Sequence, residues 1–288
     1  MPELIQIMIP PFVASMVFVA MLGYLGVHII ARGVIFVDLA LAQMAALGST
    51  TALLAGLETE SVSGYAFAFG FATLGALLFA ITRTTKGKPR VPHEAIIGIV
   101  YVVASAATLL VADKAPHGAE TIREALAGSI LWVTWPQIGR LALVYVGIGL
   151  VHWALRRRFF TVSLNEAAAV ESGWRVRWWD FLFYFTFGIA ITLAVPIAGV
   201  LLVFTFLVVP AVIAFLFTRE VRPLIAISWL AAAVAAAAGL GVSFKFDLPT
   251  GPVIVCAFGA VLLLTGLARL AVKRGGVPAA TSESAAVP

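Results

Sequence analysis

The stretch IFVDLALAQMAALG, Ile35 to Gly48, places an aspartate, Asp38, early in an apolar run and a glutamine, Gln43, five residues later. A carboxylate and a neutral carbonyl oxygen are hard donors of the kind that hold a divalent cation. Five residues turn a regular helix by about 140°, so the two can share one ion only with help from a kink or a second copy of the chain. Asp38 itself has three readings. It is a pore-lining metal contact, retained although an ionisable group inside a span costs about 2.5–3.5 kcal/mol on insertion scales, or an interfacial residue paired with Arg32, or the donor or acceptor of a helix-packing hydrogen bond.

Other polar residues invite the same question. His28 and His152 have ligand chemistry, yet a lone histidine on a bundled helix reads better as hydrogen-bonded structure. His93-Glu94 lacks the second histidine of an H-E-x-x-H zinc site, and reads as a helix start with Glu94 near the positive end of the dipole. Asp113, His117, Glu120 and Glu124 form an acidic patch, read as a solvated loop with attraction of cations as the alternative.

The elements that must position these groups lie in a bilayer. The 288 residues are 62% hydrophobic and 11% charged, with a mean hydropathy of +1.06, whereas about a quarter of a soluble domain is charged. Cys256 is the single cysteine and can form no intrachain disulfide; it reads as a small buried hydrophobe. Met1 to Ile9 has no basic flank of the signal-peptide type, so 12–31 reads as a first span that stays.

A spanning helix needs about 20 apolar residues, and nine such runs can be cut: 12–31, 34–57, 64–82, 95–112, 136–155, 179–195, 199–217, 224–244 and 252–272. Trp179 to Thr218 would make one helix about 60 Å long, twice the hydrocarbon thickness. It must turn, and Val195-Pro196-Ile197-Ala198-Gly199 is the place. The fold class is therefore all-α, a polytopic transmembrane helical bundle of about eight or nine spans, with residues 1–274 as the membrane domain and 275–288 as a disordered tail. Gly23, Gly26, Gly70, Gly75, Gly147, Gly149 and the Ala-rich stretch 231–241 suit close helix packing.

Basic residues gather on alternate connections: Arg32; Arg83, Lys86, Lys88 and Arg90; Arg156 to Arg158, Arg175 and Arg177; Arg219 and Arg222; Arg269, Lys273 and Arg274. Such loops stay cytoplasmic, which puts the N-terminus outside and the C-terminus inside. Membrane sidedness accounts for the net charge of +5, and nucleic acid need not be invoked.

The longest inner loop, RRRFFTVSLNEAAAVESGWRVRW, holds a short helix-capable segment that Ser163 or Asn165 can cap and a glycine, Gly173, can end. It reads either as a solvated loop or as a short amphipathic helix on which a soluble motor could push. The segment from Asn165 to Phe215 resembles the permease subunits of ATP-binding-cassette importers for zinc, manganese and iron. In that family an acidic, Ala-rich helix ending in Gly precedes a G-x-L-L-V pattern that runs on to a Pro-Ala pair. Gly199, Leu201, Leu202, Val203, Leu207, Pro210 and Ala211 match it, and HEAIIGIVY (93–101) and REALAGSILWVTWPQI (123–138) are similar to two further family stretches.

The resemblance implies a transport subunit of the cell (inner) membrane, not an enzyme, working by alternating access as a homodimer in membrane lipid. Asn165, Glu166, Ala167, Glu171 and Gly173 would form the coupling helix that docks on a separate ATPase, since no G-x-x-x-x-G-K-[ST] occurs in the chain. A solute-binding protein would deliver the metal from outside, and the metal is substrate, with no cofactor bound. Family members that import metal carry Gly-Asp early in the second span with His four residues after the Asp. Aligned without gaps from Arg32 to Gly48, this chain has Leu39 and Gln43 at those two positions, with Asp38 one place early. A metal chelate is therefore the alternative cargo. A secondary transporter is less well supported, for want of duplicated halves, and an intramembrane metalloprotease would need paired His and acidic ligands at helical spacing.

Overall fold

The computed structural model describes residues 2–59, 61–83, 91–115, 128 and 130–275, with side chains described between residues 7 and 270. Glu60, Lys86, Lys88, Arg90, His117, Glu120, Arg123, Glu124 and the tail 276–288 lie outside the described residues. Eleven helices follow one another among those described: α1 (Pro2–Arg32), α2 (Val37–Leu54), α3 (Val62–Thr82), α4 (His93–Ala112), α5 (Trp135–Ala154), α6 (Arg156–Leu164), α7 (Glu166–Glu171), α8 (Val176–Ala198), α9 (Val200–Phe217), α10 (Val221–Phe246) and α11 (Thr250–Gly275). A 3-10 turn, Ile130–Trp132, precedes α5.

Nine of these helices are long and apolar enough to cross a membrane, and they coincide with the nine runs read from the sequence. Their boundaries are chemical. α1 stops where Gly33, at φ 66, lets Val34 N–H reach back to Ile29 O and its own N–H to Ile30 O, a paired closure that turns the chain into α2. The long apolar stretch breaks between α8 and α9 at Gly199, whose φ of 75 and ψ of 156 are reserved to glycine.

Two groups of helices make up the bundle. α1, α9, α10 and α11 pack together, as do α2, α3, α4 and α8, and the groups meet where α9 contacts α8 and α2. α1 is central, with 67% of its span buried, whereas α11 is peripheral at 11%. Leu110, Leu143 and Leu263 point outward, as they can where the solvent is hydrocarbon.

Glycine decides how closely the helices approach. A Cβ on Gly26 would lie 1.9 Å from the carbonyl oxygen of Leu207, so α1 touches α9 backbone to backbone. Gly48 sits likewise against Phe67 on α3, and Gly239 against Ile254. Gly70 and Gly147, read as packing glycines, face open space. Cys256 also departs from its reading, because α11 presents it on its exposed side.

Candidate functional site

The polar groups of the bundle collect at one end, where α1 and α3 finish and α2, α4 and α8 begin. The connection from α5 to α8 crosses this end as α6 and α7. Asn165 starts α7 by accepting a hydrogen bond from Ala168 N–H at 3.1 Å. Ala169 is fully buried against the bundle, while Ala167 and Glu171 stay exposed. The helix closes at Gly173, φ 72, with Trp174 N–H bonded to Ala169 O. The five residues expected to contact an ATPase thus lie on one short helix and the residues that start and close it, with one flank seated and one free. Asn165→Ala is expected to cost about 1 kcal/mol of local stability, seen as roughly fivefold faster amide exchange over 166–171 with the exchange of α8 unchanged.

Beneath α7 lies a buried ionic cluster. Asp180, fifth residue of α8 and fully buried, accepts through one oxygen, Oδ1, from both Arg32 and Arg83, the latter at 2.9 Å. Arg83 extends its other nitrogen to Glu166 on α7 at 2.8 Å. Arg32 also donates to Ser163 at the end of α6 at 2.8 Å, and its guanidinium lies 4.1 Å above the Phe183 ring. Burial alone would loosen the proton of Arg83, but Asp180, Tyr184 and Glu166 beside it outweigh this and raise its pKa. Two guanidiniums and two carboxylates therefore join α1, α3, α7 and α8 as a neutral set.

The sequence reading missed this cluster. Arg83, read from the sequence only as one of the basic residues of an inner connection, is 8% exposed. Asp180 stands in an apolar stretch where an ionisable group is itself the signal. Arg32 pairs with Asp180, which removes the reading of Asp38 as its partner.

Asp38 lies in the first turn of α2 and is 2% exposed, with Oδ1 free of any hydrogen-bond partner among the described residues. An acid there is favoured by the helix dipole. Glu94, at the start of α4, accepts from Phe36 N–H at 3.0 Å and so caps α2 from a neighbouring helix. Gln43 is half-buried on the same helix as Asp38, one and a half turns further on. No group of three or more His, Cys, Asp or Glu among the described residues could hold a metal ion. Any ion passing Asp38 and Gln43 would need donors from water, backbone or a second copy. A cavity of about 710 Å³ opens beside this end, lined by Arg83, His93, Glu94, Glu166 and Glu171 among others.

His28 and His152 are hydrogen-bonded, as read. His28 Nδ1 pairs with Ser163 Oγ at 2.9 Å, and His152 bridges Tyr24 and Thr186 at 3.2 and 2.9 Å. Their rings lie 6.3 Å apart, a proximity that no local pattern announces.

The profile of a transporter family, the ABC 3 transport family, matches residues 4–269. The chain belongs to the ABC 3 transport family. Among relatives, the manganese import system permease protein ScaB of Streptococcus gordonii is 23% identical over 257 residues, covering 88% of each chain. A metal transport system membrane protein of Chlamydia trachomatis, named as a probable one, is 24% identical over 173 residues. That match spans 60% of this chain and about three fifths (59%) of the relative's length. Among solved structures, PsaBC from Streptococcus pneumoniae in complex with Fab superposes with a TM-score of 0.74 at 22% identity, over 89% of both chains. That likeness shows that the ABC 3 chain shares the fold of this structure over most of its length.

Proposed function

We propose that this chain is the membrane-spanning permease subunit of an ATP-driven importer of divalent metal ions, with zinc, manganese and iron as the substrate class. The family match over residues 4–269 carries the reading. Two copies would form the pore about a two-fold axis in the lipid bilayer, alternating between outward and inward openings. A separate ATPase docks on α7 through Asn165, Glu166, Ala167, Glu171 and Gly173. A solute-binding protein docks on the opposite face. The basic connections support a cytoplasmic position for this end, with the N-terminus outside and the C-terminus inside the cell membrane. The name of ScaB supports manganese as the first ion to try.

Asp38 and Gln43 supply oxygen donors to the ion on its way through. A buried carboxylate with an unpartnered oxygen supports this role for Asp38. Glutamine in place of the family's histidine favours the harder ions, manganese over zinc.

The test is uptake by proteoliposomes holding this chain with its ATPase and its binding protein, across zinc, manganese and iron, with and without ATP. ATP-dependent accumulation of one ion names the substrate. Hydrolysis stimulated by the binding protein without uptake of any bare ion would move the cargo to a metal chelate. In the same vesicles Asp38→Asn is expected to lower uptake to background at unchanged membrane abundance; retained uptake would remove Asp38 from the path.

A further inference from the structure

α7 is attached to the bundle in two different ways. Ala169 and Val170 pack against apolar neighbours, a contact that is short-ranged and without direction. The Glu166 carboxylate, by contrast, is held by Arg83, which is held in turn by Asp180. The two Arg83 bonds use different nitrogens of one planar guanidinium, so the positions of Glu166 and Asp180 are fixed relative to each other. The backbone of Arg83 is tied to α8 as well, its carbonyl accepting from Arg177 Nε at 3.4 Å.

Exposure falls along this chain of contacts. The Glu166 side chain is 36% exposed, that of Arg83 10% and that of Asp180 0%. The outer bond can therefore exchange for water, whereas the inner ones cannot without stranding charge in an apolar surrounding. Arg32 continues the inner set to α1, the most buried span.

We propose that Arg83 is the positioning residue that couples α7 to the membrane helices, so that displacement of α7 is delivered through Asp180 and Arg32 to α8 and α1. The proposal rests on the reading of α7 as the ATPase contact. It assigns to one side chain the conversion of a push at the surface into movement of two core helices. Without the Arg83 tie, α7 still docks through its exposed flank, and the motor turns over without moving the bundle.

Metal uptake and ATP hydrolysis are to be measured in the same proteoliposomes for the wild type, Arg83→Gln and Arg83→Lys. Both variants leave Asp180 paired with Arg32, and Lys keeps the positive charge while losing the fork. About a tenfold fall in metal transported per ATP is expected for Gln and a smaller fall for Lys, with hydrolysis at or above the wild-type rate. Uptake and hydrolysis falling in step, or neither falling, would overturn the proposal. If the wild type itself shows no ATP-driven uptake of metal or chelate, the importer reading fails and not the coupling role alone. A second measurement is independent of the motor: spin labels at Ala167 and Thr82 in the purified chain report the seating of α7 on α3. Arg83→Gln is expected to broaden their distance distribution, and an unchanged distribution would also overturn the proposal.

Discussion

Asp180→Asn is expected to destabilise the chain by about 3–5 kcal/mol, because it removes the counter-charge of two buried guanidiniums while preserving the shape of the site. Arg83 keeps Glu166, but Arg32 is left with Ser163 and an aromatic ring as its surroundings. The measurement is the unfolding midpoint in detergent. Ser163→Ala, which removes a neutral acceptor, serves as the comparison and is expected to cost about 1 kcal/mol. The double replacement of Arg32 by Met and Asp180 by Leu is expected to recover part of the loss, since removing both charges removes the desolvation penalty with the attraction. A double variant no more stable than Asp180→Asn would mean that the pair itself stabilises the fold beyond its desolvation penalty.

Gly26→Ala is expected to cost about 3 kcal/mol or more, at the upper end of overpacking effects. The added carbon would lie 1.9 Å from the Leu207 oxygen and 3.3 Å from the Ala211 methyl, and backbone cannot yield as a side chain tip can. α1 and α9 would have to separate along their contact. The hydrogen bonds from Ser228 to Gly23 O and from Trp229 to Ala20 O would loosen with it, because they bind α10 to the same helix. Yield of folded protein after detergent extraction is the readout. Gly70→Ala and Gly147→Ala make the matched controls, since each new carbon meets nothing within 4 Å. Relief of backbone entropy at those positions is expected to make them neutral or stabilising by about 0.5–1 kcal/mol.

Sequence and structure agree where the physics is local. Each span is a predominantly apolar run of membrane-crossing length, and the break at Gly199 follows from hydrocarbon thickness. α7 was legible from Asn165 and Gly173, two residues whose roles as cap and stop need nothing but their own neighbours. The ionic cluster was not legible, because Arg83 and Asp180 are 97 positions apart and Arg32 and Asp180 148 apart. A charge next to a span looks the same in sequence whether it faces water or reaches inward to a partner. The same blindness explains Gly70 and Gly147, which have the composition of packing glycines but, among the described residues, no neighbouring helix against their faces. Asp38 lay between the two cases: its burial was foreseeable from the run around it, whereas its isolation from Arg32 required the geometry of α8.

Nine helices of membrane-crossing length among the described residues are an odd number, and in the topology proposed above the two ends of the polypeptide emerge on opposite faces of the bilayer. A second copy joined head to tail would begin on the wrong face and insert upside down. A single-chain version of a two-copy pore would therefore need a tenth crossing in its linker. In that topology two copies of the gene could duplicate and diverge but not simply fuse.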